Sequence, residues 1–92
     1  RLHGEAGDDR LLGGPGADRF VFRPDPGRDR IGDFAPGTDV VELRGFGFAD
    51  GAAVRERGRE IGDAVGFTLA EDVGLVIAGV GLSDLSPDDF VV

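Results

Sequence analysis

The sequence has no Cys, no Lys, no Met, no Trp and no Tyr, and His3 is its one imidazole. Without thiols there is neither a disulfide framework nor a thiolate metal site. One His leaves a self-contained zinc site short of its usual nitrogen ligands. Oxygen remains as the ligand atom, and oxygen selects hard cations such as calcium. There are two Ser and two Thr, and no local motif joins any of them to His3. No nucleophile and base arrangement can be drawn, so the chain reads as non-catalytic. No apolar run approaches the roughly 18 residues of a membrane helix. The chain opens on Arg1 with no export leader ahead of its first turn, and it reads as a piece of a longer protein.

What is present is acid and glycine. Eighteen Asp and Glu stand against ten Arg, a net charge of −8. That balance disfavours nucleic acid and anionic membranes as partners and favours cations. Ninety-two residues suit one domain, and a chain of this length buries roughly 60–65% of the surface its unfolded form exposes. Apolar residues make up 40% of the chain, but seventeen residues are Gly, the type that loses most backbone entropy on ordering. A bound ion is therefore expected to contribute to folding.

The chain repeats itself. Gly4-Glu5-Ala6-Gly7-Asp8-Asp9-Arg10-Leu11-Leu12 is followed at once by Gly13-Gly14-Pro15-Gly16-Ala17-Asp18-Arg19-Phe20-Val21. The period is nine, with Gly at the first and fourth places, Asp at the sixth and Leu11 or Phe20 at the eighth. Two degraded copies, Gly27-Arg28-Asp29-Arg30-Ile31 and Gly37-Thr38-Asp39-Val40-Val41, follow after insertions carrying Pro24, Pro26 and Pro36. The apolar blocks between the turns are too short for helices and read as strands.

From Gly45 the composition changes. Gly45-Phe46-Gly47-Phe48 reads as an apolar bend, and Ala52 to Glu60 as either a short helix or an exposed strand. Ala64 to Leu69 and Leu75 to Val80 flank Ala70-Glu71-Asp72-Val73-Gly74 as a hairpin. Leu82 to Asp89 reads as a turn or a single helical turn before Phe90-Val91-Val92. Phe20, Phe22, Phe34, Phe46, Phe48 and Phe67 are the expected core.

Each unit is one loop plus one strand. Glycine permits positive φ and lets backbone carbonyls approach an ion, and the Asp at the sixth place adds an anionic oxygen. If successive strands alternate between two sheets, loops on one edge recur every two units, about one strand spacing (~4.8 Å) apart. The loop of Asp9 then meets that of Asp29, and the loop of Asp18 meets that of Asp39 or Asp33. Two carboxylates and several carbonyls suffice for calcium, which accepts 6–8 oxygens at roughly 2.3–2.6 Å. The candidate ligand set is the loop backbone of Gly4, Ala6, Gly7, Gly13, Gly14, Gly16, Gly27 and Gly37 with the carboxylates of Asp9, Asp18, Asp29, Asp33 and Asp39.

These two nonapeptides resemble the glycine-rich repeats of the RTX (repeats-in-toxin) proteins, a pattern associated with calcium. Phe20-Val21-Phe22, Ile31-Gly32-Asp33-Phe34 and Pro36 to Leu43 are similar to the last roll turns of the serralysin-type C-terminal domain. The resemblance implies an all-β fold, a short parallel β-roll over 1–43 continuing into antiparallel, sandwich-like strands over 44–92. It also implies calcium in the loops and secretion to the extracellular medium by a type I apparatus that reads Asp88, Asp89, Phe90, Val91 and Val92. An upstream domain of the parent, such as a serralysin-like metalloprotease or another hydrolase, is a further implied partner. The sequence departs from the pattern at Glu5, and at Pro24 and Asp25, which occupy the double-glycine place of the third unit.

Other readings compete. Gly14-Pro15-Gly16 is no phosphate loop, since no Gly-Lys-Ser/Thr follows. Asp25, Gly27 and Asp29 begin like an EF-hand, but Pro36 stands where its last glutamate belongs. Asp33 reads as a ligand or as a cap of its own turn. Arg10, Arg19, Arg28 and Arg30 read as solvated side chains offsetting the acidic loops rather than an anion site. His3 reads as a surface or inter-turn residue, and the final five residues as an export signal, a last core strand, or both. The alternative function is an extracellular adhesin or carbohydrate-binding module with structural calcium, although the lack of Trp and Tyr removes the usual sugar platform.

Overall fold

The structure, a computed structural model, describes residues 2–4, 8–24, 27–70 and 73–92. Five short strands come first: β1 (Leu2–Gly4), β2 (Arg10–Leu11), β3 (Arg19–Phe22), β4 (Gly27–Ile31) and β5 (Val40–Leu43). They go alternately to two sheets. β1, β3 and β5 pair in parallel in one, and β2 pairs in parallel with β4 in the other. Leu2 lies opposite Phe20, the repeat period doubled. In the next coils the matching residues stand 20 apart (Asp9 and Asp29) and 21 apart (Asp18 and Asp39). The proline-bearing insertions lengthen the coil without breaking its register.

The stretch Ala52 to Glu60 divides between both readings. Asp50 caps a short helix, α1 (Gly51–Arg55), by accepting the Ala53 N–H at 3.0 Å. β6 (Gly58–Ile61) follows, then the hairpin β7 (Ala64–Ala70) and β8 (Val73–Ala78). The hairpin tip, Glu71 and Asp72, lies outside the described residues. β6, β7 and β8 are antiparallel, as expected of the second half. However, β8 also pairs in parallel with β4, and the final strand β9 (Phe90–Val91) pairs in parallel with β5. The cap is thus a mixed arrangement rather than an antiparallel one. An exposed strand edge presents unpaired N–H and C=O groups, and the later strands cover the free edges of β4 and β5. The resulting orders are β1-β3-β5-β9 and β2-β4-β8-β7-β6.

The core lies between the two sheets. Phe20, Ile31, Val41, Val65, Leu75 and Ile77 are almost wholly buried there, and α1 contributes Val54. Phe20 meets Phe34 with ring centroids 6.2 Å apart, and Phe67 meets Phe90 edge-on at 5.4 Å. Phe90 takes the core-strand place, one of the readings of the terminus. Phe46 and Phe48 are only partly buried against the cluster rather than inside it. Among the described residues no helix is long and apolar enough to cross a membrane.

Candidate metal-binding turns

The turns that lead into the four-stranded sheet are stacked, and each ends in an aspartate one residue before its strand. Asp18 precedes β3, Asp39 precedes β5 and Asp89 precedes β9. Asp39 is 1% exposed. Its Oδ1 accepts the Asp18 N–H at 2.8 Å, and its Oδ2 accepts the Ala35 N–H of its own turn at 2.9 Å. Asp89 repeats the pattern: its Oδ1 accepts the Gly37 N–H of the preceding turn and its Oδ2 the Ser86 N–H of its own, both at 2.9 Å. The turn 12–18 is shaped by Gly14 (φ 79°) and Gly16 (φ 90°) on either side of Pro15. These positive φ values are open to glycine and strained for most other residues.

On the other sheet Asp9 stands against Asp29. The Asp9 N–H donates to Asp29 Oδ1 at 3.1 Å, and the Arg28 N–H donates to Asp8 Oδ1 at 2.7 Å. Burial first, and the nearby charges of Asp9 and Asp8 with it, push the Asp29 carboxyl up to about 6 against the lowering effect of the Asp9 N–H. This column stops at β8, where the residue in register with Asp29 is Leu75.

The structure therefore brings together Asp9 with Asp29 and Asp18 with Asp39. Asp33 does not cap its own turn. Its two oxygens accept the Gly13 and Gly14 N–H groups at 2.8 and 2.7 Å, across turns rather than within its own. Those bonds hold its carboxyl below the usual carboxylate range. Gly4 lies in β1 and Gly27 (φ 136°) in β4, so both are strand residues rather than turn residues. Gly37 (φ 82°) lies in the turn before β5. Ala6 and Gly7 lie outside the described residues.

Sequence reasoning missed Asp8 and Asp89 as turn acceptors. The Asp8-Asp9 doublet was a signal for the first. For the second, an Asp directly before an apolar strand, as in Asp39-Val40-Val41, recurs in Asp89-Phe90-Val91. Of the terminal residues assigned to an export apparatus, Asp89 and Phe90 are buried, while Asp88, Val91 and Val92 are exposed. The arginines are sorted by face. Arg19 pairs with Glu42 at 2.9 Å, on the four-stranded sheet rather than at an acidic loop, and Arg44 pairs with the other oxygen of Glu42. Arg10, Arg28 and Arg30 are exposed strand residues of the other sheet.

Among the described residues no three His, Asp or Glu side chains converge on one point. Each carboxylate oxygen has two lone pairs, so one N–H bond leaves room for a cation. Two observations bear on whether these turns suit calcium. Asp18 Oδ2 is buried with no hydrogen-bond partner among the described residues, a costly state for an anionic oxygen. Gly13 lies so close that a Cβ there would run into the Asp18 carboxylate. An orphaned carboxylate oxygen, in a turn whose glycines leave the backbone open, suits an oxygen-coordinated cation. The donor set therefore fits calcium best at the turn 13–18, with the Asp9 and Asp29 pair as a second place.

No family model matches the chain, and no curated protein matches its sequence. Among solved structures it is similar to the extracellular lipase LipA from Serratia marcescens, with a TM-score of 0.68 and 21% sequence identity. The match covers 97% of this chain and 20% of the lipase, so the chain spans about a fifth of that protein's length. This likeness bears on the fold, an all-β arrangement of two sheets with one short helix.

Proposed function

We propose that the chain is a calcium-binding folding and secretion module of an exported protein, of the RTX type. The reading rests on one observation above the rest: the buried Asp18 Oδ2 has no partner among the described residues, in a stack where Asp39 and Asp89 are both satisfied. In this reading Asp18, with carbonyls of the turn 13–18, holds one ion, and Asp9 with Asp29 holds another. Calcium supplies the positive charge that the stacked carboxylates lack. The chain's own residues do the rest: the N–H groups of Asp18, Gly37 and Asp9 fix the carboxylates, and the glycines let the turns close. Without the ion the Asp9 and Asp29 charges oppose each other, and the turns have little to offset their ordering entropy.

A chain that folds only with calcium stays extended where calcium is scarce and folds where it is millimolar, matching extracellular sites with Kd on the order of 10⁻⁴–10⁻³ M. The proposal extends to a type I apparatus that reads the terminus while Asp89 and Phe90 are still undocked, and to a parent that is a hydrolase. The catalytic step would belong to that parent and not to this chain. The similar lipase is extracellular, which supports export without identifying the parent.

The test is a calcium titration followed by far-ultraviolet circular dichroism, with magnesium as the control ion. We expect β signal to rise cooperatively with calcium and little with magnesium, which demands octahedral geometry and dehydrates reluctantly. Full β signal in chelator would falsify the coupling of folding to metal.

A further inference from the structure

We propose that the outer face of the five-stranded sheet is a groove for a carboxylated polysaccharide chain. Strands alternate their side chains, and here the alternation collects small residues in the middle and arginines at both sides. Across one row, Arg10 is in register with Arg30, Arg30 with Val76, Val76 with Gly66 and Gly66 with Arg59. The next row runs Arg28, Gly74, Thr68. The groove, about 630 Å³, is lined by Arg28, Arg57, Arg59, Gly66, Thr68 and Gly74 among others. Its walls, β4 and β6, stand three strand spacings apart, roughly 14 Å.

The floor is low because two glycines keep it so. A Cβ on Gly74 would lie 3.3 Å from Arg28 Cγ, and one on Gly66 would lie 2.7 Å from Ile61 Cδ1. Arg10, Arg28, Arg30, Arg57 and Arg59 are all exposed, half of the chain's ten cations gathered on one face. Arg57 is steadied with its guanidinium 5.2 Å from the Phe48 ring centroid. Among the described residues the acids nearby are Glu56, which lines the groove, and Asp8, whose Oδ1 is already bonded to the Arg28 N–H. The net charge of −8 repels anions at long range, but beyond about 8 Å that repulsion is screened at physiological salt. Inside the groove the local guanidiniums decide.

Guanidinium is a rigid fork that matches carboxylate with two parallel bonds. Forks on two walls about 14 Å apart suit an extended ligand that repeats its charge rather than a single small anion. A peptide strand is the less suitable occupant: β4, β8 and β7 each have a neighbour on both sides, so the floor between the walls offers no free backbone groups for strand addition, and the one edge, that of β6, lies at the rim. The Thr68 hydroxyl, exposed on the floor, adds a donor and acceptor of the kind sugar hydroxyls use. The arginines and Thr68 lie outside the candidate calcium ligands, so the inference stands apart from the metal reading.

The experiment is isothermal titration of the whole chain, folded in calcium, with a hyaluronan decasaccharide. The comparison ligands are a neutral maltooligosaccharide of equal length, a poly-glutamate peptide of equal charge and vesicles of anionic phospholipid. We expect binding of hyaluronan alone or most tightly. Arg28→Ala with Arg59→Ala should weaken it by about tenfold or more, and Arg23→Ala, an exposed arginine off this face, by less than about twofold. Should the double variant fail to fold, Arg28→Lys with Arg59→Lys keeps the charge but loses the fork, and an intermediate loss is expected. Equal losses for Arg23→Ala and the groove variant, tighter binding of poly-glutamate or vesicles, or no binding of hyaluronan would each overturn the proposal.

Discussion

Replacing Asp39 and replacing Asp18 should have different consequences, although both occupy the sixth place of a repeat. Asp39 is buried and accepts two backbone N–H groups at 2.8 and 2.9 Å. Asp39→Ala strands both donors, and hydrogen bonds to a charged group are worth about 1.5–3 kcal/mol each, so the loss is about 3–6 kcal/mol. A domain of this length has roughly 5–14 kcal/mol in total. Asp18→Ala removes an oxygen that accepts nothing and therefore strands no donor there. We expect Asp39→Ala to raise the calcium midpoint of folding roughly a hundredfold or more if one ion is coupled to folding, and tenfold or more if two are. The number of ions bound at saturation should stay the same. Asp18→Ala should lower that number. Calcium titration calorimetry with circular dichroism separates the two. An excluded osmolyte, which strengthens burial, should restore Asp39→Ala and leave the lost ion of Asp18→Ala unrestored. The reasoning fails if Asp39→Ala shifts the midpoint by less than about threefold, or if Asp18→Ala keeps the full calcium stoichiometry.

The Asp29 carboxyl, raised to about 6, stabilises the metal-free fold when protonated, fully below about pH 4, and that contribution is lost as pH rises through about 6. The metal-free chain should therefore hold more β signal in chelator as pH falls from about 7 to about 5; Asp29→Asn should flatten that slope, and an unchanged slope would remove Asp29 as its cause. Gly13→Ala places a Cβ against the Asp18 carboxylate and should raise the calcium midpoint by about tenfold; a midpoint equal to wild type would mean that this carboxylate is free to swing away. Arg55 donates to the carbonyls of Leu85 at 2.7 Å and Leu82 at 3.1 Å, so Arg55→Met should cost about 1–3 kcal/mol and speed amide exchange at Phe90 and Val91. Unaltered exchange there would show that the terminus docks without this clamp.

Much of the fold was legible because the repeat carries its own geometry. A period of nine with an apolar residue at a fixed offset implies alternate sheets, and the pairs Asp9 with Asp29 and Asp18 with Asp39 follow from doubling it. The hairpin was readable from two apolar runs, β7 and β8. Less legible was where the later strands attach. Nothing local in Leu75-Val76-Ile77 says that it will lie parallel to β4, because that choice depends on an open edge left by residues more than forty positions earlier. The turn 52–60 defeated a single assignment for the opposite reason: Asp50 starts a helix that Gly58 cannot continue. At the site, the carboxylates were found but their occupation was not. A sequence shows an Asp at a turn, and only coordinates show whether its oxygens meet N–H groups, as for Asp33, or nothing, as for Asp18 Oδ2.

Asp39 and Asp89 share one arrangement although their turns share almost no sequence. Each carboxylate closes its own turn with one oxygen and holds the preceding turn with the other. The turn before Asp39 uses Gly37 at φ 82°, whereas the turn before Asp89 has no glycine and runs through a 3₁₀ turn begun at Pro87. Glycine is therefore not what defines a coil of this stack. It is needed where the backbone must pass through positive φ, and those are the turns in which carbonyls can be offered to an ion. The acceptor geometry of the aspartate is the constant feature, and it allows a coil without glycine to close the same ladder that the glycine turns begin. The last coil is held by N–H groups, by Arg55 and by the Phe67 and Phe90 rings, which need no metal themselves but exist only once the earlier turns have placed β5 for β9 to join.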